Sequence, residues 1–470
     1  MFKPFGELPL QRVAIFSSEH LRSYEDVSAV RRLVEQTLDS LGLPADFIRP
    51  GERVVLKPNW VKEHDERHPG PNQWEHVVTH PSVIEAVVHW VAVRLGHGSI
   101  TICDAPQTDS SFAKLREYCQ LDKLVERCRA TYPKIQISLL DLRPEEWHAV
   151  DGVTVSRKSL PGDPLGSTQV CLNEASEFVG YSGQGRLYGA SYDVAETNSH
   201  HNGTRHEYLL CRTAMDADVF INLPKLKTHK KVGVTCALKN LVGINANKNW
   251  LPHHTEGTPD IGGDQFSAAT TRSRLEHSWM GAAKRWINNR PALARPFVPV
   301  KKMARLIFGG TQKVVRSGNW HGNDTCWRMV LDLNKCFFFF DGAGKPRTKA
   351  MRYLAVVDGV IAGEGNGPMS PDPKPCRVIM AGTHPVAVDF AAATIMGFAC
   401  EKLPLLRHAF QMKQLNFTSF SAEEIEIVSN RPAWNKPLIA INADDLFQFR
   451  PHFGWRGAIE RDKALAVSHA

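Results

Sequence analysis

The sequence predicts an α/β protein with a mostly parallel sheet, helices on both of its faces, two lobes and a helical insertion. Short apolar runs alternate with amphipathic segments from residue 12 to residue 142, and the alternation returns near residue 353. Strands that alternate with helices are typical of a parallel sheet covered on both sides. The 470 residues exceed what one small core needs, which favours more than one lobe.

The elements of the N-terminal lobe are predicted from the spacing of its apolar residues. We expect strands at 12–17, 53–56 and 99–103, and helices at 27–41 and 81–95. The second helix starts on a proline and is followed by a glycine, the usual order of these residues at helix ends.

The rest of the chain divides by composition. The predicted segments are an N-terminal α/β lobe at 1–150, a loop- and β-rich insertion at 151–206, a central strand with a lysine and histidine motif at 207–257, a helical insertion or cap at 258–350, and a C-terminal α/β lobe and tail at 351–470. Helices are expected at 274–288 and 298–308. In the last segment we expect strands at 353–357 and 377–381, a glycine-rich loop at 359–368 between them, and a helix from about residue 386.

Composition excludes several classes of protein. No apolar stretch is long enough to span a membrane, and the first eight residues lack an apolar secretory core, so we expect a cytoplasmic protein. The net charge of +8 comes from dispersed basic residues, so a nucleic-acid partner is not expected. The ten cysteines form no C-x-x-C pair, so no iron–sulfur cluster is expected.

Polar residues stand where four predicted strands end. Lys57 and Asn59 follow one strand, Asp104 another, Lys225 a third and Asp358 the last. Ligands of open parallel sheets bind outside the carboxyl ends of the strands, so these residues are expected to converge on one cleft.

The richest stretch lies between residues 222 and 243. Lys225, Lys227 and His229 alternate with other residues, so an extended chain points all three to one side. Lys239 and Asn240 stand in an otherwise apolar run, where a lysine must either reach solvent along its stem or meet an anion. A solvated basic edge explains the first group equally well.

These motifs resemble a family of unknown function numbered 362. The shared patterns are P-K-L-K-T-H followed by G-V-T-x-A-L-K-N-L-x-G, K-P-N-W at 57–60, H-P-S-V at 80–83 and G-T-H-P-V-A-V-D at 382–389. The resemblance adds Trp60 and His80 to the candidate residues. Some relatives carry ferredoxin-type cysteine motifs, which this sequence lacks.

A more distant resemblance is to the lactate racemase family. There, a lysine that holds a nickel-pincer nucleotide follows an acid/base histidine by ten residues, and a nickel-ligating histidine comes later. Here His229 and Lys239 are ten residues apart, and His253 and His254 follow Lys239 by fourteen and fifteen. That family's aspartate-lysine-threonine-arginine-proline turn is absent, which puts substrate recognition in doubt.

Three functions remain open at this stage. We expect an enzyme that acts on a small anionic carboxylate or phosphate by proton transfer, with a divalent metal as an open question. The alternatives are a nickel-pincer-dependent 2-hydroxy acid racemase or epimerase, and a noncatalytic module that binds an anion. The candidate catalytic residues are His229, Lys239 and Asp358. The candidate substrate-binding residues are Lys57, Asn59, Trp60, His80, Asp104, Lys225, Lys227 and Asn240. The candidate metal ligands are His253 and His254.

Overall fold

The computed structural model describes residues 3–6, 8–150, 153–190, 193–268 and 314–461. The predicted helices at 274–288 and 298–308 lie outside these ranges. The helices within them, in chain order, are α1 (Val27–Asp39), α2 (Pro81–Leu95), α3 (Phe112–Tyr118), α4 (Leu121–Thr131), α5 (Val194–His200), α6 (Arg212–Met215), α7 (Ala237–Asn240), α8 (Cys326–Phe339), α9 (Pro385–Met396) and α10 (Pro404–Ala409).

The strands fall into one large sheet and three small ones. In chain order they are β1 (Arg12–Ser17), β2 (Arg53–Pro58), β3 (Gly98–Asp104), β4 (Ile135–Asp141), β5 (Glu145–Val150), β6 (Val153–Ser159), β7 (Ser167–Cys171), β8 (Leu187–Gly189), β9 (His201–Asn202), β10 (Arg205–Cys211), β11 (Val219–Leu223), β12 (Lys225–His229), β13 (Gly233–Thr235), β14 (Pro252–Thr255), β15 (Arg352–Asn366), β16 (Ser370–Gly382) and β17 (Glu426–Ser429).

The large sheet has ten strands among the described residues, in the order β17-β1-β16-β15-β11-β2-β3-β4, with β12 and β13 attached beside β15. The pairs from β15 through β11, β2 and β3 to β4 are parallel, as is β1 with β17. Strand β16 is antiparallel to both of its neighbours. The predicted α/β class with a mostly parallel sheet is confirmed, and both ends of the chain contribute strands to this sheet.

Helices cover both faces of the sheet, and a separate apolar core lies on each. On one face, α1, α2 and α4 pack through residues such as Leu33, Val87 and Leu124. On the other face, α8 and α9 contribute residues such as Phe337 and Val388. Burial of these side chains is the main stabilising contribution to the fold.

Two of the family motifs form helix starts. The His80 side chain accepts a hydrogen bond from the Ser82 N–H (3.1 Å) at the N-terminus of α2, and His384 does the same for Val386 (3.2 Å) at α9. In each case a proline follows at the first helical position, where its missing N–H costs nothing. The His-Pro pairs are therefore N-caps.

The C-terminal segment differs from its predicted form. The glycine-rich stretch expected as a loop at 359–368 lies largely within β15, which pairs with β16 along most of its length as an antiparallel hairpin. Glycine there admits close neighbours: a Cβ on Gly363 would lie 2.9 Å from the His76 carbonyl oxygen. Across the described ranges, no helix combines the length and the apolarity that a membrane span requires.

Candidate functional site

A cavity of about 170 Å³ opens where β2, β3 and β12 end, beside the short helix α7. Its polar lining includes lysines, histidines, two asparagines and one aspartate. These residues are Lys57, Asn59, Asp104, His229, Lys230, Lys231, Lys239, Asn240, Lys248, His253 and His254. The position agrees with the rule that ligands bind at the carboxyl ends of parallel strands.

The inner wall holds one buried ion pair. The Lys57 Nζ lies 2.8 Å from Asp104 Oδ1, and both side chains are almost fully buried. The other Asp104 oxygen accepts from the Trp60 backbone N–H at 2.8 Å. Lys57 also donates to the Asn240 Oδ1 at 3.1 Å. Because its charge is matched by Lys57, Asp104 does not neutralise the remaining lysines.

A chain of amide side chains fixes this wall. Asn222 donates to the backbone carbonyl of Ala237 (2.8 Å), which sets the orientation of its amide. Its oxygen then accepts from Asn240 (2.7 Å), and the Asn240 oxygen accepts from Asn59 (2.9 Å). Because the backbone carbonyl of Ala237 can only accept, the amide nitrogen of Asn222 must face it, and this fixes the orientation of the two amides that follow. The chain holds α7 against the end of β2.

Asp389 of α9 anchors α7 from behind. Its two carboxylate oxygens accept from the backbone N–H groups of Ala237 (2.6 Å) and Leu238 (3.1 Å), at the start of α7. Burial raises the pKa of Asp389 to about 7. The carboxylate occupies the place where a helix N-terminus favours negative charge, and it thereby positions Lys239 and Asn240.

Lys231 and Lys248 are buried in the cavity wall without a carboxylate as hydrogen-bond partner among the residues that the structure describes. Lys231 donates to the carbonyls of Ser317 (2.5 Å) and His253 (3.3 Å), and burial lowers its pKa to about 7. Lys248 donates to the carbonyls of Val242 (2.9 Å) and Asn245 (3.2 Å), and burial lowers its pKa to about 8. Neutral carbonyls stabilise an ammonium less than a carboxylate does.

Lys239 and Lys230 complete the group. Burial lowers the pKa of each of them. The Lys239 Nζ lies 3.5 Å from His253 Nε2, at the outer limit of a hydrogen bond. Behind the wall, Lys227 donates to the carbonyl of Val77, and burial lowers its pKa well below the ordinary value. Within the described part of the chain, five lysine side chains therefore line the cavity together with a single carboxylate, Asp104.

The two histidines beside Lys239 have different contacts. The Nδ1 of His229 accepts from the backbone N–H groups of Lys231 (3.0 Å) and Val232 (3.3 Å). The Nδ1 of His253 lies 2.7 Å from the carbonyl oxygen of Leu251. Burial lowers the pKa of both rings well below the ordinary range, and the charge of Lys239 adds to the effect. Burial therefore favours the neutral form of both rings near pH 7.

His254 faces a different neighbour from His253. Its Nδ1 lies 3.2 Å from Lys231 Nζ, and its ring stacks on Tyr188 with centroids 4.8 Å apart. No group of three or more histidine, cysteine, aspartate or glutamate side chains that could hold a metal ion occurs in the part of the chain that the structure describes. The metal role of His253 and His254 stays a prediction.

Lys225 and Asp358 do not line the cavity. They form a fully buried ion pair at 2.9 Å, and Tyr24 donates to Asp358 at 2.5 Å while accepting from Lys225 at 2.7 Å. The His80 backbone N–H donates to the same carboxylate at 2.9 Å. Every polar group of this cluster has a partner within it, which is the arrangement of a structural network.

His80, Trp60 and Lys227 also lie outside the cavity lining. The His80 ring is stacked between Tyr24 and Trp74, with centroid distances of 3.7 and 5.1 Å. The Trp60 indole is fully buried and packs on Phe112 at 5.9 Å. The structure thus brings together Lys57, Asn59, Asp104, His229, Lys239, Asn240, His253 and His254 from the predicted set.

Three lining lysines and one glycine are absent from the predicted site residues. Lys230 and Lys231 belong to the same short basic segment as Lys225 and Lys227, which favours a local anion site over a nucleic-acid groove but does not single out these two side chains. Lys248 stands among polar residues with no apolar run to mark it. Gly243 presses against the inner wall: a Cβ there would lie 1.9 Å from Asp104 Oδ1 and 2.5 Å from Lys57 Nζ.

Replacing Gly243 with alanine is expected to destabilise the protein by about 1–3 kcal/mol, because the added methyl group overpacks the wall and separates Lys57 from Asp104. Chemical denaturation measures the effect. Adding Asp104→Ala makes room for the methyl group, so the double variant is expected to lose less stability than the sum of the single variants. Simple additivity would contradict the proposed clash.

Residues 163–394 match the family model described as "Domain of unknown function (DUF362)". A thylakoid-associated protein of Synechocystis sp. (strain ATCC 27184 / PCC 6803 / Kazusa) is 23% identical over 385 residues, which are 82% of this chain and 75% of that protein.

Two solved structures resemble the chain more distantly. A protein from Thermotoga maritima has 10% identity and a TM-score of 0.34, with 78% of this chain and 58% of that one covered. The lactate racemase apoprotein from Thermoanaerobacterium thermosaccharolyticum has 11% identity and a TM-score of 0.33, with coverages of 84% and 61%. The chain thus spans about three fifths of each structure's length. These scores assign no residue role to this chain.

Proposed function

We propose that the protein is an enzyme that binds a small polyanion in the lysine-lined cavity and acts on it. The family model that residues 163–394 match is described as a domain of unknown function, so the proposal is made from the site itself. The observation that supports this proposal is an imbalance of charge in the cavity lining. Among the described residues, five lysines (Lys57, Lys230, Lys231, Lys239 and Lys248) line the cavity with one carboxylate, Asp104.

The imbalance favours an anionic ligand over a cationic or neutral one. Ammonium groups held among carbonyls and apolar walls are costly to keep charged, and a bound carboxylate or phosphate group offsets that cost. Salt screens buried pairs less than exposed ones, so the attraction persists at physiological ionic strength. A cavity of about 170 Å³ fits a small molecule.

Enzymatic action is favoured by the groups beside the lysines. Buried, neutral histidines and amines with lowered pKa values are the groups that donate, accept or attack in active sites. In a noncatalytic binding module, lysines and backbone N–H groups would suffice. Incubation with candidate carboxylates and phosphates followed by product analysis separates the two: quantitative recovery of unchanged ligand would favour the module.

Isothermal titration with pyrophosphate and with citrate tests the binding itself. We expect saturable binding of one molecule per chain, lost in Lys231→Met and retained in Lys413→Met, a matched control at an exposed lysine. Equal weakening by both substitutions would indicate nonspecific attraction to a basic surface and contradict the proposal.

The affinity for these anions is expected to fall as the pH rises from 6.5 to 9. Burial lowers the pKa of Lys231 to about 7 and of Lys248 to about 8, so the free cavity loses positive charge across this window. A bound anion favours the charged forms, which requires proton uptake on binding. Titration at pH 8 in Hepes and Tris, whose ionisation enthalpies differ, measures that uptake. An affinity independent of pH, without proton uptake, would contradict the assignment.

A second candidate is a racemase or epimerase of 2-hydroxy acids that uses a nickel-pincer nucleotide. Lys239 supports it, since an amine with lowered pKa in a cavity can carry a covalent adduct. Lys239 and His253 would hold the group, and their side chains meet at 3.5 Å. Intact mass and metal analysis of protein from its native host test this candidate: an unmodified mass without nickel would contradict it.

A further inference from the structure

We infer that His229 and His253 act in the cavity with opposite hydrogen-bonding senses, His229 as donor and His253 as acceptor, so that the site selects an anion that also carries an O–H or N–H group. The inference rests on the anion binding proposed above. It assigns different roles to two residues that composition alone would treat as equivalent.

The contacts of His229 fix its tautomer. Backbone N–H groups can only donate, and two of them point at Nδ1, from Lys231 at 3.0 Å and from Val232 at 3.3 Å. That nitrogen must therefore carry a lone pair, and the proton of the neutral ring sits on Nε2. The Nε2–H has no hydrogen-bond partner among the described residues, and the residue lines the cavity. His229 thus presents a donor to the ligand.

The contacts of His253 fix the opposite tautomer. A carbonyl oxygen can only accept, and that of Leu251 lies 2.7 Å from Nδ1 of His253. The proton of the neutral ring therefore sits on Nδ1, and Nε2 carries a lone pair that faces Lys239 Nζ at 3.5 Å. A contact of that length leaves the lone pair open to a better-placed donor from the ligand.

The other charged groups of the cavity only donate or already have strong partners. Lysine ammonium groups only donate, and the Asp104 oxygens are engaged by Lys57 and by the Trp60 N–H. A ligand oxygen can therefore meet His229 Nε2–H and the lysines together, while a hydroxyl or amine hydrogen of the same ligand meets His253. A buried acceptor that the ligand leaves without a donor weakens binding, which is how such a group produces selectivity.

The first test measures the tautomers directly. Long-range ¹H–¹⁵N correlation spectra of protein labelled at histidine nitrogens, assigned with single-histidine variants, distinguish the protonated nitrogen in each ring. At pH 7.5 we expect the Nε2–H form for His229 and the Nδ1–H form for His253. The same tautomer in both rings would overturn the inference without any bearing on anion binding.

The second test compares inorganic phosphate with sulfate at pH 7.5. The two ions have the same shape, but phosphate keeps an O–H and carries slightly less mean charge. A cavity that responds only to charge would bind sulfate at least as tightly. With one additional hydrogen bond to His253, we expect phosphate to bind about three- to tenfold more tightly.

Two variants separate the roles. His253→Leu is expected to remove the preference for phosphate, whereas His229→Leu is expected to weaken both ions and leave their ratio unchanged. Binding of both ions with equal affinity to the wild-type protein would overturn the selectivity while sparing the proposed function. Failure of both ions to bind, with the expected tautomers present, would instead contradict the proposed function.

Discussion

Replacing Lys225 with methionine is expected to lower the free energy of unfolding by about 3–5 kcal/mol. Lys225 and Asp358 are both fully buried, and their ion pair at 2.9 Å compensates two charges that have left water. Methionine fills similar space but leaves the carboxylate with only Tyr24 and backbone N–H groups as partners. Urea denaturation followed by circular dichroism measures the loss.

The matched control removes both charges. The double variant Lys225→Met/Asp358→Leu is expected to recover most of the lost stability, because apolar residues can replace a buried ion pair at little cost. Both forms are expected to bind pyrophosphate normally wherever they are folded. A stable Lys225→Met protein that no longer binds the anion would show instead that Lys225 acts in the binding site.

Replacing Lys239 with methionine is expected to weaken pyrophosphate binding by about ten- to a hundredfold, the loss that follows from one charge-assisted hydrogen bond. Its melting temperature is expected to equal or exceed that of the parent. The reason is that burial lowers the pKa of Lys239, so the folded state bears a desolvation cost which methionine removes. Titration calorimetry and thermal melts of the same samples measure both effects.

Lys413→Met serves as the control for the change in net charge, since this lysine is exposed. It is expected to leave both affinity and melting temperature unchanged. A large drop in the melting temperature of Lys239→Met would assign Lys239 to the packing of α7 rather than to a ligand.

The sequence located the cavity through one geometric rule. Lys57, Asn59 and Asp104 could be placed there because β2 and β3 are parallel neighbours whose carboxyl ends share an edge. Lys239 could be found because a cation in an apolar run requires an explanation, and the structure gives one.

The same rule placed Lys225 and Asp358 in the cleft, and there it failed for a physical reason. After β11 the chain does not leave the sheet but continues as β12 beside β15, and β15 itself runs on past Asp358. Lys225 and Asp358 are therefore paired opposite each other within the sheet. A buried ion pair and a substrate-binding pair consist of the same residue types, so the sequence alone cannot distinguish them. The His-Pro motifs had the same ambiguity, since an N-cap requires the residue types that a binding site would also use.

The pairing of β12 with β15 has a consequence for transplanting this segment into other scaffolds. Lys225 is set opposite Asp358, while the next residue, Leu226, belongs to the apolar core. A shift of one residue would exchange these environments, because side chains alternate along a strand. The segment therefore does not tolerate a change in length. A graft that transfers the lysine–histidine segment (β12) into another protein must therefore include the paired strand β15, in the same register.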